Sequence, residues 1–406
     1  MSKYDDLFAD AAPDESVFAD KGALDPLAAP AEIYARESHE RDLATILTGV
    51  HDGYLPPTVS VYGPPGTGKT LTTRRVCREF AQRHDQVAVE YVNLKECRTL
   101  FSAANEILHA LTGAKKGAYE GLDGVFTGIW DALEMYPAWT VLILDEIDHV
   151  RHDTNYDPND FFYRLLRGEG KLARGISLSV WLVSNELLEV DLRLDSRVAS
   201  AMSDEAVCFP PYDVDDLEAV LTPRLERAFR EGAMPADSRA YGVHEAARRW
   251  GDARKALTLF RQAGETATER GLATVTEDCL EATLEATERE ATIATLLDLP
   301  LNHFLVLTAI TGWNRGSAIK QPVTTADIHE YLAKDAYPAE LRLGERAIRD
   351  VVTDLETMGL VETWIDSRGR DGRVKQVETA FDPQWVRAAI EPYATESTYL
   401  DSLLDS

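Results

Sequence analysis

The chain has 406 residues, 45% of them apolar, and 69 acidic against 42 basic side chains leave a formal charge of −27. At roughly 100–200 residues per domain this length predicts two to four domains, and no run approaches the ~20 uninterrupted apolar residues of a membrane-spanning helix. A disulfide scaffold is excluded too, because Cys77, Cys97, Cys208 and Cys279 are scattered without a CxxC pair and read as structural thiols in a reducing cytoplasm.

Residues 1–25 are acidic and rich in Ala and Asp, and lack the basic start and apolar stretch of a signal peptide. They are expected to form a mobile leader on a protein that stays where it is made. A helical pattern follows over 32–47. Five short β-type runs then come at 58–62, 87–93, 140–145, 177–184 and 206–209, separated by helical spacers. That alternation predicts an α/β domain over 26–210, a parallel sheet covered by helices on both faces. After Pro210-Pro211 the β signal stops, and helical periodicity, including 215–230, 243–250 and 252–263, predicts a separate helical domain over 211–298. Beyond Pro300, helices near 301–311, 325–335 and 344–358 precede a strand at 360–365, a Gly/Arg-rich turn and a strand at 373–379. Three helices and a hairpin describe a winged helix over 299–392, with a tail at 393–406.

The strongest motif is Gly63-Pro64-Pro65-Gly66-Thr67-Gly68-Lys69-Thr70, which fits GxxxxGK[ST] and lies between a strand-like run and a helical one. Gly63, Gly66 and Gly68 let the backbone wrap a pyrophosphate with its amides inward, the following helix adds its positive end, and Leu71 joins the nucleotide-binding residues. Lys69 can reach the β- and γ-phosphates of ATP or ADP, and the Thr70 hydroxyl can ligate Mg²⁺. A second run, 141–148, is apolar and ends in carboxylates: Asp145 can hold the magnesium through its water shell, Glu146 can polarise an attacking water, and Asp148 supports the turn. A third, 179–185, ends in Asn185, whose spacing from Asp145 favours a water-positioning and phosphate-sensing role over that of a turn residue. Arg197 and Arg254, as single charges, read alone as solvated arginines or salt-bridge partners.

Near the C-terminus, Arg368, Arg370, Arg373 and Lys375 stand against Asp366 and Asp371, so four positive less two negative charges make the wing locally +2. Guanidinium groups on such a hairpin can meet phosphates or a minor groove. The helix at 344–358 is expected to bury Ile348, Val352 and Leu355, leaving Arg346 and Arg349 for a major groove, although Glu345, Asp350, Asp354 and Glu356 share its surface.

GPPGTGKT, LILDEID, LVSN, LDSRVAS, CFPPYD, GDARKAL, LETMGLVE and SRGRDGRVKQ follow one another in this order. Over 30–379 the chain thereby resembles the archaeal replication initiators of the origin-recognition and cell-division-control type, within the AAA+ ATPase superfamily. The resemblance implies an AAA+ parallel sheet with flanking helices, a helical lid and a C-terminal winged-helix domain. It implies that Lys69 and Thr70 bind ATP and magnesium, that Asp145 and Glu146 serve hydrolysis, and that Asn185 is a first sensor and Arg254 a second, reaching in from the lid. Arg197 falls at the arginine-finger position, which would act on the nucleotide of a second initiator subunit, and residues 30–37 would wall the adenine. An insertion at 112–134 would touch DNA through Lys115 and Lys116, though Thr127-Gly128 stands where basic residues are common. Ala347 follows Arg346 where a second basic residue is frequent, and Asp371 replaces an aromatic at the wing tip.

What the resemblance implies as a whole is an ATP-regulated initiator in the cytoplasm, at the nucleoid and not at a membrane. It would bind double-stranded origin DNA and help recruit or load the MCM helicase, with slow hydrolysis as a switch. The 31 Arg against 11 Lys and the evenly spread acidity are similar to proteins of salt-accumulating archaea, in which DNA binding would depend only weakly on salt. Two rivals are a signalling or scaffold ATPase using its winged helix for protein contacts, and a clamp-loader-like subunit, which the C-terminal hairpin pattern disfavours.

Overall fold

The structure is a computed structural model and describes residues 16–147, 156–167, 174–185, 195–200, 202–203, 205–311, 321–333, 343–367 and 373–390. The chain divides into two compact units, Met1–Leu280 and Glu281–Ser406. Asp148, Arg368, Arg370 and Asp371 lie outside the described residues, as does the side chain of Arg373. No helix among the described residues is long and apolar enough to cross a membrane.

The first unit is built on strands β1 (Thr58–Tyr62), β2 (Val87–Asn93), β3 (Trp139–Asp145), β4 (Leu178–Ser184) and β5 (Ala206–Cys208). They form one parallel sheet in the order β2-β3-β4-β1-β5. The central strands β3 and β4 are buried almost end to end, as continuous apolar runs must be when helices cover both faces. Alternate residues of β3 serve opposite cores. Leu142 and Leu144 pack with one cluster, and Val141 and Ile143 with the other, the period-2 pattern of a strand.

The covering helices are α1 (Glu37–Thr48), α2 (Lys69–Ala81), α3 (Leu100–Thr112), α4 (Gly121–Leu133), α5 (Pro158–Arg167) and the single turn α6 (Ser196–Ala199). Leu43 and Leu47 of α1 and Cys77 of α2 fill one face. Ile107 and Leu108 of α3, Phe126 and Ile129 of α4, and Phe161 and Leu165 of α5 fill the other. The helix expected from residue 32 begins only at Glu37, because Ala35 takes a left-handed φ of 59°, and that break turns Arg36 inward. Among the four free cysteines Cys77, Cys97 and Cys279 are buried, as structural thiols would be, whereas Cys208 is exposed on the edge strand β5.

After the sheet come α7 (Val214–Ala228), α8 (Ala236–Arg249), α9 (Ala253–Glu269) and α10 (Glu277–Leu297). Asp213 caps α7 through the Asp216 N–H, and Asp252 caps α9 through the Arg254 and Lys255 N–H groups. Leu217, Leu221 and Leu225 recur every four residues as the buried stripe of α7.

Residues 16–25 correct the expectation of a mobile leader. Val17, Ala23 and Leu24 are buried, the Phe18 ring stacks on Phe229 at 5.1 Å, and backbone bonds run from the Ala19 N–H to the Ala228 carbonyl and from the Arg230 N–H to that of Val17. Four apolar side chains interspersed with acids give no period, yet they suffice to bind a short segment onto α7 and α9.

The second unit comprises α11 (Leu301–Thr311), β6 (Val323–Thr324), α12 (Thr325–Leu332), α13 (Glu345–Thr357), β7 (Val361–Ser367), β8 (Arg373–Thr379) and α14 (Gln384–Ile390). Its antiparallel sheet has the order β6-β8-β7. Ile348, Val352 and Leu355 of α13 are fully buried, as expected, against Leu305, Ile310, Ile328, Val361 and Val377. β6 and α14 are additions to the three-helix and hairpin pattern.

The packing of the N-terminal segment gives a direct check. Leu24 is completely buried, so Leu24→Ala is expected to lower unfolding free energy by about 2–5 kcal/mol in a denaturant titration of the full chain. A mobile leader would show no loss.

Candidate functional site

Register aligns the strand ends. Asn93 pairs with Asp145, Asp145 with Val183, Ser184 with Tyr62, and Tyr62 with Cys208. The C-terminal edge of a parallel sheet is where such folds hold ligands. A cavity of about 1330 Å³ opens there, and Lys69, Thr70, Asp145, Glu146, Asn185 and Arg254 all line it.

The phosphate loop leaves β1 and feeds α2. Lys69 is buried, and its ammonium donates to the carbonyls of Gly63 at 2.5 Å and Pro64 at 2.8 Å and to Asn185 Oδ1 at 3.4 Å. The loop and the end of β4 therefore converge on one cation. Pro65, Gly66, Thr67, Gly68 and Leu71 also line the cavity.

Beside Lys69, the Thr70 hydroxyl donates to Asp145 Oδ1 at 3.1 Å. The Glu146 N–H donates to the same oxygen at 3.1 Å, and the Tyr91 hydroxyl to Oδ2 at 2.7 Å. Burial and then the Asp145 carboxylate push the Tyr91 hydroxyl up to about 12, so it is a donor at neutral pH. Glu146 has a φ of 57°, a left-handed conformation that costs a non-glycine residue roughly 1–2 kcal/mol and turns the chain sharply at the end of β3. A hydroxyl and a carboxylate in contact are hard oxygen donors. They fit Mg²⁺, which takes one or two such protein groups and completes its shell with phosphates and water.

The far wall comes from the lid. The Ala253 N–H donates to the Gly66 carbonyl at 3.2 Å, and the Asp252 carboxylate lies so close that a Cβ on Gly66 would sit 1.8 Å from Oδ1. Gly66 has a φ of 72°, so both conformation and space require glycine there. Gly251, at φ 56°, presses against Pro211 and Tyr212 and accepts the Tyr212 N–H through its carbonyl.

Arg36 joins these parts. Only 2% exposed, it donates from Nε to the Thr67 carbonyl at 2.9 Å, from one terminal nitrogen to that of Pro210 at 2.9 Å, and from the other to that of Ala35 at 3.1 Å. Its guanidinium stacks on the Tyr212 ring, 3.7 Å from the centroid, and lies 3.6 Å from the Asp216 carboxylate on α7. Burial and Asp213 raise the Asp216 carboxyl above its usual range, an effect Arg36 opposes.

The other sequence-predicted residues lie elsewhere. Arg197 is 73% exposed, does not line the cavity, and is paired with its own cap residue Asp195 at 2.6 Å. Lys115 pairs with Glu106, and Lys116 with Glu120 at 2.8 Å, so both insertion lysines are charge-matched within the protein. Arg349 pairs with Glu345 at 2.7 Å and Lys375 with Glu356 at 3.1 Å. Arg346 is exposed without an ion pair among the described residues. On β7, Trp364 and Ile365 are exposed. No motif singles out Arg36, Tyr91 or Trp364 in the sequence, although Arg36 falls within the 30–37 segment. Only the strand alternation that puts Tyr91 on the same face as Asp145 offered a signal.

Gly251→Ala is expected to weaken ADP binding about tenfold in calorimetry, because the new Cβ would lie 2.5 Å from the Pro211 Cβ and a left-handed alanine adds about 1–2 kcal/mol of strain. Unchanged affinity would show that the lid does not bear on the nucleotide site.

Residues 56–189 match the AAA domain family, 218–284 the Cdc6 AAA+ ATPase-type lid domain, and 294–389 the C-terminal winged helix domain of CDC6. The chain is 31% identical over 384 residues to the ORC1-type DNA replication protein of Pyrococcus furiosus, covering 92% of this chain and 90% of that one. It is 29% identical over 399 residues to ORC1-type DNA replication protein 1 of Sulfurisphaera tokodaii, covering 96% and 97%. Among solved structures, the Aeropyrum pernix ORC1 protein in complex with DNA matches with a TM-score of 0.66 at 29% identity, covering 93% of this chain and 98% of that one. The Aeropyrum pernix ORC2 protein, at 18% identity and a TM-score of 0.61 over 96% and 100%, shares the fold. The chain belongs to the family of ORC1-type DNA replication proteins, as an AAA+ ATPase with a Cdc6-type lid and a C-terminal winged helix.

Proposed function

We propose that this ATPase is a replication initiator whose nucleotide state governs how firmly it holds double-stranded origin DNA. The observation that carries the reading is the convergence on one cavity of the phosphate loop, the strand-end carboxylates and the lid residue Arg254, in a chain that goes on to a winged helix. In this reading the loop amides and Lys69 hold the phosphates of ATP or ADP, and Thr70 with Asp145 would hold Mg²⁺, which supplies charge neutralisation between the phosphates when bound. Glu146, turned at the strand end, polarises the attacking water. Asn185, already in contact with Lys69, reports the terminal phosphate from β4, and Arg254 does so from the first turn of α9. Arg197 is exposed and does not line its own cavity, which suits a group acting on a second subunit's nucleotide.

The DNA arm is supported by the DNA-bound ORC1 protein of Aeropyrum pernix, which this chain resembles over nearly its full length. We assign the main contact to the winged helix, through Arg346, Arg349, Arg368, Arg370, Arg373 and Lys375. The pairs Arg349–Glu345 and Lys375–Glu356 are partly or fully exposed, and such pairs are worth about 0–1 kcal/mol, so a phosphate can replace the carboxylate at little cost. Lys115 and Lys116 contribute less, since their segment offers Thr127-Gly128 where further basic residues would be needed. As a working extension, the protein would act in the cytoplasm at the nucleoid, recruit or load the MCM helicase and hydrolyse ATP slowly as a switch. Its acidic surface would leave the affinity resting on short-range fit at high salt, where the Debye length is about 3 Å at 1 M.

Filter binding and footprinting on origin-containing duplex should give different affinities with ATP and with ADP, and Lys69→Ala should remove the difference. Equal affinity and footprint in all cases would contradict the switch. In the same assay Arg368→Ala with Arg370→Ala should weaken binding and make the dependence of log K on log salt shallower by about 1 per arginine. Unchanged DNA affinity would favour the scaffold reading, in which the winged helix contacts protein.

A further inference from the structure

β2 ends in Tyr91-Val92-Asn93, outside every motif assigned above. The pairing of Tyr91 with Ile143 and of Asn93 with Asp145 puts these four side chains on one face of the sheet, the face on which Tyr91 packs against the core cluster that includes Ile143 and Cys77. There the two oxygens of the buried Asp145 carboxylate are divided. Oδ1 accepts from the Thr70 hydroxyl and the Glu146 N–H, whereas Oδ2 accepts from the Tyr91 hydroxyl at 2.7 Å. Tyr91 is itself held on two sides. Asn93 Nδ2 donates to its oxygen at 3.3 Å, and Asn93 is fixed in turn by the Lys95 N–H at 2.9 Å. Across the ring, the guanidinium of Arg74, one turn beyond Thr70 on α2, lies 3.9 Å from the centroid.

We infer that Tyr91 is a positioning residue of the ATPase: by occupying Oδ2 it fixes the plane of the Asp145 carboxylate, so that Oδ1 stays turned to Thr70 where Mg²⁺ is to be held. The torsion that sets a carboxylate plane is broad and roughly two-fold, so Asp145 does not select this orientation unaided. Loss of the tyrosine hydroxyl would leave Oδ2, in a residue only 4% exposed, short of its donor and free to compete for the Thr70 hydroxyl. The inference rests on the proposed reading of Thr70 and Asp145 as the magnesium side of the site.

The test is calorimetry on the full chain, wild type and Tyr91→Phe, which keeps the ring beneath Arg74. ADP is titrated in EDTA, and in separate EDTA-free samples MgCl₂ is titrated into the ADP-bound protein. ADP affinity in EDTA is expected to be unchanged, and Mg²⁺ affinity to fall about tenfold, the lower end of what groups orienting metal-binding side chains contribute. A merely structural role would move both affinities together, and that result overturns the inference, as does a Phe variant whose Mg²⁺ affinity equals that of a clearly Mg²⁺-dependent wild type. If wild-type protein itself shows no Mg²⁺ affinity in the ADP complex, the assignment of Thr70 and Asp145 fails first, and this inference with it.

Discussion

A guanidinium enclosed on all sides sits where the phosphate loop, the chain leaving the sheet and the first lid helix meet. Burying a charge costs several kcal/mol unless every donor finds a partner. Arg36 finds a partner for each of its three nitrogens, with three carbonyls, an aromatic face and a carboxylate drawn from 35, 67, 210–212 and 216. Those segments cannot separate without leaving the buried guanidinium short of partners. The loop that receives the nucleotide and the lid that closes over it therefore behave as one mechanical unit. The bond from the Ala253 N–H to the Gly66 carbonyl and the close seat of Asp252 on Gly66 provide a second tie on the opposite side of the loop.

Around that junction the chemistry follows from strand order. β4 lies between β3 and β1, so Asn185, just past the end of β4, comes within 3.4 Å of the Lys69 ammonium, while Asp145 ends the neighbouring strand β3. The left-handed turn at Glu146 is a local cost maintained by the surrounding bonds, as is common where a side chain must be aimed at a reacting group. Cation, carboxylates and amide are thus brought within reach of one bound phosphate chain by the sheet, with no long loop required to carry them.

Much of this was legible in the sequence where the signal is periodic. The β-type runs at 58–62 and 87–93 are β1 and β2 as observed, and those at 140–145 and 177–184 differ from β3 and β4 by one residue, because short runs rich in β-branched and aromatic residues between turn residues mark strands. The winged-helix hairpin was legible for the same reason: a strand, a glycine-rich turn and a strand leave few alternatives. What escaped were features without a period. The segment at 16–25 packs through a few apolar residues among acids. Arg36 lies where a helix pattern had already begun, and only the left-handed Ala35 reveals that it points inward. Tyr91 has the appearance of an ordinary strand aromatic until register brings its hydroxyl to Asp145. In the winged helix the charge count over 364–376 was plain, but charges paired within the protein, such as Lys375 with Glu356 there and Lys115 with Glu106 in the first unit, become visible only in three dimensions.

The central claim is that the nucleotide site and the lid are one coupled unit through Arg36. Amide hydrogen exchange with and without ADP, in wild type and in Arg36→Lys, tests it most directly, since lysine keeps the charge but cannot reproduce the fork or the stacking. With Arg36 as the link, ADP is expected to protect amides at both 69–73 and 253–257 in the wild type, and the variant to retain the first protection while losing most of the second. Equal protection of 253–257 in both proteins would show that the lid senses the nucleotide without this buried cation.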